Sequence, residues 1–383
     1  MRNIVKVLIF FVCLCFLLQC KQDKKPNVEV AGDTPKEISS VNANKDASEI
    51  RKEIPNGVAI PEGMAWIPGG ELTQGAVPQD EMAMGHEKPA NKVLVNGFFM
   101  DVTEVTNAQF KKFVAATSYE TIAERAIDWE EMKKQLPEGT PKPHDSIMQP
   151  GSLTFKKTKE PVANLYDFSQ WWNWTIGANW QHPNGPESSI KGKENEPVVH
   201  IAYEDALAYC EWAGRRLPTE AEWELAAKGN HQNGTYFWGD DETELSKRAN
   251  TWEGQFPVNN TKTDGFEARA PVKSFTPNDF GLYDMAGNVW EWTSDWYNTN
   301  YYQEIATAGL VLKNPKGANS PFNERDPYAK EKVMKGGSFL CNASYCASYR
   351  TSSRMATSLD SSLEHLGFRT VASVAMIEAS AKK

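Results

Sequence analysis

The stretch beyond Gly229 limits the fold of this chain more than any other. Helical periodicity stops there, and short apolar pieces alternate with Gly, Asn, Asp and Pro, as in "YFWGDD", "FPVNNTKTDGF" and "PNDFGLYDMAGNVWEWTSDW". Such punctuation reads as an α+β chain with few helices, short strands and much ordered loop. Loops that long inside a compact domain are held by ions or disulfides, or carry a site. No repeat at solenoid or propeller period is present, and no internal boundary stands out after about residue 57.

Helices are expected upstream. Thr106 with Gln109 forms a capping box, and Phe110, Phe113 and Val114 then share one face. A second helix is expected near Tyr203 to Ala213, with Ala206, Cys210 and Ala213 at helical spacing and Gly214 as stop. A third starts at Thr219, boxed by Glu222, and ends before Gly229. The earlier "GMAWIPGGELTQG" reads as short strands and glycine turns.

The first residues have a different character. Arg2 and Lys6 precede an apolar run from Val7 to Leu18, and "LLQC" then ends at Cys20. The run is short for a membrane span and has the layout of a secretory signal. It resembles a bacterial lipoprotein signal with a relaxed cleavage box, which would leave Cys20 as the lipidated first residue. The following stretch to Pro55 has no aromatic residue and is rich in Lys, Asp, Glu, Ser, Asn and Pro. It cannot bury enough apolar surface to offset its ordering entropy. The expected organisation is a signal peptide at 1–19, a flexible tether at 20–57, a single domain at 58–375 and a tail at 376–383. The protein is then exported and lipid-anchored to a bacterial membrane. A net charge of −9 argues against a general nucleic-acid binder.

Six cysteines are present, at 13, 15, 20, 210, 341 and 346. The first two fall in the signal and the third is the lipidation candidate. Cys210 lies on the apolar face of its expected helix and reads as a buried, inert thiol. Cys341 and Cys346 are separated by "NASY". A local disulfide is one reading, although so small a loop removes little unfolded-state entropy. Structural zinc wants four ligands, and no CxxC or HxxxH partner lies nearby. Two thiolates suit a soft, low-coordinate ion such as Cu(I). Disulfide, redox or copper site, and two free thiols all remain open on spacing alone.

"KGGSFLCNASYCASYRTSSR" followed by "SSLEHLGFR" resembles the C-terminal signature of the formylglycine-generating enzymes. "MDVTEVTNAQFKKFV", "GANWQHPNGPESSI", "PVVHIAYEDALAYCEWAGRRLPTEAEWELAA", "ANTWEGQFPVNNTKTDGF" and "PNDFGLYDMAGNVWEWTSDWY" follow that family's order over about residues 60–372. The resemblance implies an irregular α+β fold related to C-type lectin domains. It implies oxidation of a sulfatase cysteine, in an extended Cys-x-Pro-x-Arg type motif, to Cα-formylglycine, with O2 and a thiol reductant as co-substrates. On transfer, Cys341 and Cys346 would hold Cu(I), with the substrate cysteine as third sulfur ligand. Ser338 would position the site and Trp290 would stand beside an oxygen pocket. Two structural calcium sites are implied: Asn250 and Asp264 with backbone oxygens near Thr251 and Phe266, and Asp284 and Glu291 with backbone oxygens near Met285, Gly287 and Val289. Hard oxygen ligands of this mixed origin suit calcium. Asp264-Gly265 is also a good hairpin turn, and Glu291 also reads as a simple paired acid. A monomer is expected. The alternative is a non-catalytic binding or structural lipoprotein of the same fold, of the gliding-associated type. The segment 128–168 has no assignment.

Overall fold

The computed structural model describes residues 50–165 and 167–381. The expected signal peptide, Cys20 and most of the expected tether lie outside the described residues. The elements are short because their sequences are short between turn residues. Strands β1 (Met64–Ile67) and β4 (Phe98–Asp101) pair antiparallel, Met64 opposite Asp101. Strand β12 (Val371–Ala372) adds to the other edge of β4. Strands β2 (Gly70–Gln74) and β3 (Asn91–Val95) form a second antiparallel pair, extended in parallel by β8 (Leu312–Lys313). Strands β5 (Gly151–Phe155) and β6 (Trp172–Ile176) make a separate antiparallel pair.

The fourth sheet carries the site. Its order is β10 (Met355–Ser358), β9 (Glu331–Lys335), β7 (Trp290–Trp296) and β11 (Leu366–Gly367). The β7–β9 ladder is antiparallel and shifts register between Trp292 and Trp296, whereas β11 runs parallel to β7 with Leu366 opposite Trp290.

Five helices have two turns or more. In α1 (Asn107–Thr117) Thr106 accepts from the Gln109 N–H, and Gln109 Oε1 accepts back from the Thr106 N–H at 2.8 Å. Helix α2 (Tyr203–Trp212) starts at Ala202, whose N–H donates to Asp205 at 2.9 Å. Helix α3 (Glu220–Lys228) carries the Thr219–Glu222 box and buries nearly every side chain, Glu220, Glu224 and Lys228 included. Buried charges survive only when paired. Glu220 binds Arg354 through both oxygens, at 2.8 and 2.9 Å, and Glu224 meets Lys228 at 2.8 Å and Lys335 at 3.3 Å.

Two helices lie where no helical period was read. In α4 (Tyr301–Ala308) Tyr301, Tyr302 and Ile305 turn inward, and Gly309 caps it with a left-handed φ of 61°. Helix α5 (Val374–Ser380) is capped by Ser373 and runs across the expected start of a tail at 376. Each has too few turns to leave a period in the sequence. The expected tether also ends early: the Arg51 carbonyl accepts from Gly69 N–H at 3.0 Å and Gly97 N–H at 2.9 Å. Ile54 and Val58 then pack with Met376 and Ile377 on the buried Met64, Phe99, Ala372 and Val374. Among the described residues, no helix is long and apolar enough to cross a membrane.

Candidate active site

After β9 the chain turns on Gly336 and Gly337, at φ of 91° and 75°. A Cβ at Gly337 would sit 2.8 Å from the Ser348 backbone, so only glycine fits this turn. The next residues form two tight turns. Ser338 O accepts from Cys341 N–H at 2.9 Å, and Asn342 O accepts from the N–H groups of Tyr345, Cys346 and Ala347 at 2.9–3.1 Å. The Asn342 amide donates to Trp252 O at 2.9 Å, and Trp252 N–H donates to Cys341 O at 3.0 Å, fastening the loop to the 252 strand-like segment.

These turns bring Cys341 and Cys346 together as buried free thiols, 1% and 9% exposed. The Cys341 thiol is pushed up by burial and by donating its hydrogen bond to Cys346. Burial also opposes charge on Cys346, but the Cys341 thiol and the Ser348 N–H and hydroxyl outweigh it and lower its pKa. The loop therefore favours charge on Cys346 over charge on Cys341. No three His, Cys, Asp or Glu side chains converge among the described residues. A metal here would rest on two sulfurs plus a ligand from elsewhere, and a soft two-sulfur donor set fits Cu(I).

Ser338 lies against the pair, and Trp290 belongs to the same buried core. The Ser338 N–H points at Cys341 Sγ, 3.4 Å away, and its hydroxyl accepts from Leu340 N–H at 3.3 Å. Trp290 opens β7 and packs in the buried cluster that contains both cysteines. The other face of the loop, Phe339 and Leu340, is buried against Trp171, Trp172, Trp252 and Phe256. Leu153, Phe155, Val162, Leu165 and Phe168 extend that aromatic wall, so much of the unassigned 128–168 segment covers the cysteine loop. His365, which sequence reasoning missed, stands 3.3 Å from Ser338 Oγ through Nδ1. Its only signal was a lone titratable residue just before "LGFR". Cys210 is buried in the core with its thiol pushed up by burial, as expected of an inert thiol.

The two oxygen-rich sets fare differently. Asp264 accepts from Thr251 N–H and Phe266 N–H, both at 2.9 Å, so three members of the first set are drawn together. Asn250 is tied to Ala268 O and to Asn288 at 2.9 and 3.1 Å. Burial raises the Asp264 pKa, and the buried Thr251 Oγ1 and Glu253 Oε2 nearby have no hydrogen-bond partner. Oxygens left this way fit a hard cation.

In the second set Glu291 is engaged by protein donors. Arg369 takes both its oxygens at 2.7 Å and Trp223 Nε1 donates to it at 2.8 Å. The acid that meets Asp284 is Glu104, fully buried and 180 positions upstream. Asp284 Oδ1 and Glu104 Oε2 have no donor. Burial and then the Asp284 charge raise Glu104 well above the carboxylate range, and Asp284 is pushed up to about 6, mainly by burial. Two such carboxyls either share a proton or hold a cation. Asp284 with Glu104 thus fits calcium, and Glu291, which faces the same pair, is held by Arg369.

The chain matches the model of the sulfatase-modifying factor enzyme 1-like domain over residues 52–374. It is 42% identical to the formylglycine-generating enzyme of Mus musculus, over 81% of this chain and 74% of that protein. It is 41% identical to that of Mycobacterium tuberculosis, over 80% and 96%. It is also 34% identical to the inactive C-alpha-formylglycine-generating enzyme 2 of Mus musculus, over 83% and 89%. Among solved structures it resembles PvdO from Pseudomonas aeruginosa at a TM-score of 0.54 and 20% identity, covering 81% of this chain and 94% of that one, a likeness of fold alone. Taken with the matched span and these identities, the chain belongs to the sulfatase-modifying factor family of the formylglycine-generating enzymes.

Proposed function

We propose that the chain oxidises a cysteine of a sulfatase to Cα-formylglycine. The family includes an inactive relative, so membership alone does not assign activity. The observation that carries the reading is the buried pair of free thiols, Cys341 in contact with Cys346, beside Ser338. Cys341 and Cys346 would hold Cu(I), which would supply an electron-rich centre for the reduction of O2. The atoms balance when cysteine, O2 and two reductant thiols give the aldehyde, hydrogen sulfide, water and a disulfide.

The protein's own contribution is to prepare the sulfurs. Cys346 is held toward the thiolate before anything binds, and Cys341 gives up its proton on loading. The Ser338 N–H stabilises charge on Cys341 Sγ, and the aromatic wall keeps water from the loop. Two calcium ions are proposed as braces, one on Asn250, Asp264 and the carbonyls of Thr251 and Phe266, the other on Asp284, Glu104 and the carbonyls of Met285, Gly287 and Val289. The substrate is a sulfatase segment with a Cys-x-Pro-x-Arg motif in extended form, and the enzyme acts as a monomer. Lipidation of Cys20 would hold it at a bacterial membrane, and mass spectrometry of the membrane fraction tests this.

The test of activity is aldehyde formation from a Cys-x-Pro-x-Arg peptide with Cu(I), O2 and a thiol reductant. The wild type should form it, and Cys341→Ser and Cys346→Ser should not. Full activity in either variant would sink the reading, and no aldehyde from the wild type would favour a non-catalytic binding role.

A further inference from the structure

We propose that His365 is a positioning residue for this reaction, fixing the direction in which the Ser338 hydroxyl points. The proposal rests on the reading of Ser338 as part of the active site and extends it to a residue that touches neither cysteine.

A hydroxyl has one donor and two acceptor directions. At Ser338 one acceptor direction is taken by Leu340 N–H at 3.3 Å, and His365 Nδ1 stands at 3.3 Å in another. With two of three directions taken, the hydroxyl offers a single remaining one to a bound substrate. Without the imidazole, the hydroxyl rotates among orientations, and only a fraction suits the reaction. The position of Ser338 itself is fixed by its backbone: its N–H lies 3.4 Å from Cys341 Sγ and its carbonyl accepts from Cys341 N–H. His365 thus acts on the rotor and not on the loop.

The ring is held for this task from both sides. The His365 carbonyl accepts from Trp290 N–H at 2.8 Å, tying it to the start of β7. The preceding Glu364 accepts from Phe155 N–H at 2.7 Å and from the Asn184 amide at 2.9 Å, and Arg269 donates to its carbonyl at 3.1 Å. The ring edge meets Trp172 at a centroid distance of 4.9 Å and an interplanar angle of 77°. Burial pushes the imidazole pKa down to about 3, so the ring meets Ser338 in its neutral form.

The experiment compares two amides. His365→Asn places an amide where Nδ1 lies, and His365→Gln places one nearer Nε2; both lose the ring edge on Trp172. Each is assayed for aldehyde formation with the same peptide, and for Cu(I) retention against a chelator. His365→Asn should keep near wild-type kcat, and His365→Gln should lose about tenfold in kcat, the worth of about one hydrogen bond, with KM little changed. Both should retain Cu(I) as the wild type does. The double variant Ser338→Ala with His365→Gln should be no slower than Ser338→Ala alone. Equal activity of the two amides, additive losses in the double variant, or Cu(I) lost from His365→Gln would each overturn the proposal. Wild-type kcat in Ser338→Ala would instead remove Ser338 from the site, a failure of the underlying reading that the single variant identifies.

Discussion

The two active-loop sulfurs are chemically unequal although they share one loop. Cys346 collects donors from Cys341 and Ser348, whereas Cys341 is the donor of the pair. Thiolates and not thiols react with alkylating reagents. In the metal-free protein at neutral pH, a small alkylating reagent should therefore modify Cys346 before Cys341, as peptide mapping would show; equal rates or the reverse order would contradict the assignment. Cys341, Cys346 and Ser338 could be read as neighbours because one contiguous stretch carries all three. Glu104 and His365 could not be placed this way, because what gives them meaning is a contact made far along the chain, Glu104 with Asp284 and His365 with Ser338. The partner of Glu291 was hidden for the same reason: Arg369 lies 78 residues on.

The elements were legible where capping chemistry marks them. Thr106–Gln109 and Thr219–Glu222 predict the starts of α1 and α3, and both boxes form. What the sequence concealed is that α3 buries its charged residues as well as its apolar ones. No amphipathic pattern reports a carboxylate whose partner, Arg354, comes from a distant loop. Replacing Glu220 by Ala should cost about 3–5 kcal/mol in urea unfolding, because it strands a buried guanidinium. A loss within the range of a surface substitution would show that Arg354 finds another partner. At the turn into the active loop, Gly337→Ala forces a side chain into a left-handed φ and against the Ser348 backbone. It should cost at least about 1 kcal/mol and displace Ser348 from Cys346, raising the pKa of that thiol in a thiolate absorbance titration.

The molecule as a whole keeps several carboxyls where burial disfavours their charge. Asp295 and Glu331 are each pushed up to about 7 by burial. Folded, they bind protons more tightly than in the unfolded chain, where carboxyls titrate near about 4. Their contribution to stability should therefore fall as pH rises through about 4 to 7 and level off above that. Asp295→Asn keeps an acceptor for the Glu220 N–H, which lies 3.0 Å from Asp295 Oδ2. It should raise Tm clearly more at pH 8 than at pH 5; an equal gain at both would refute the titration. The oxygen sets add a metal-dependent share. Calcium over EDTA should raise Tm more at pH 8 than at pH 5, where protons compete for Asp284 and Glu104. Glu104→Gln should shrink that rise, whereas Glu291→Gln should lower Tm with or without calcium by weakening the hold on Arg369.

One further property follows from how the two ends of the domain meet. Arg51 is bonded to Gly69 and Gly97, and Ile54 and Val58 share an apolar cluster with Met376 and Ile377 of α5. That cluster is separate from the two that grip the cysteine loop. The seam of β1, β4, β12 and α5 ties the N-terminal end of the described domain to its C-terminal helix, so removing α5 should lower Tm by uncovering Met64 and Phe99.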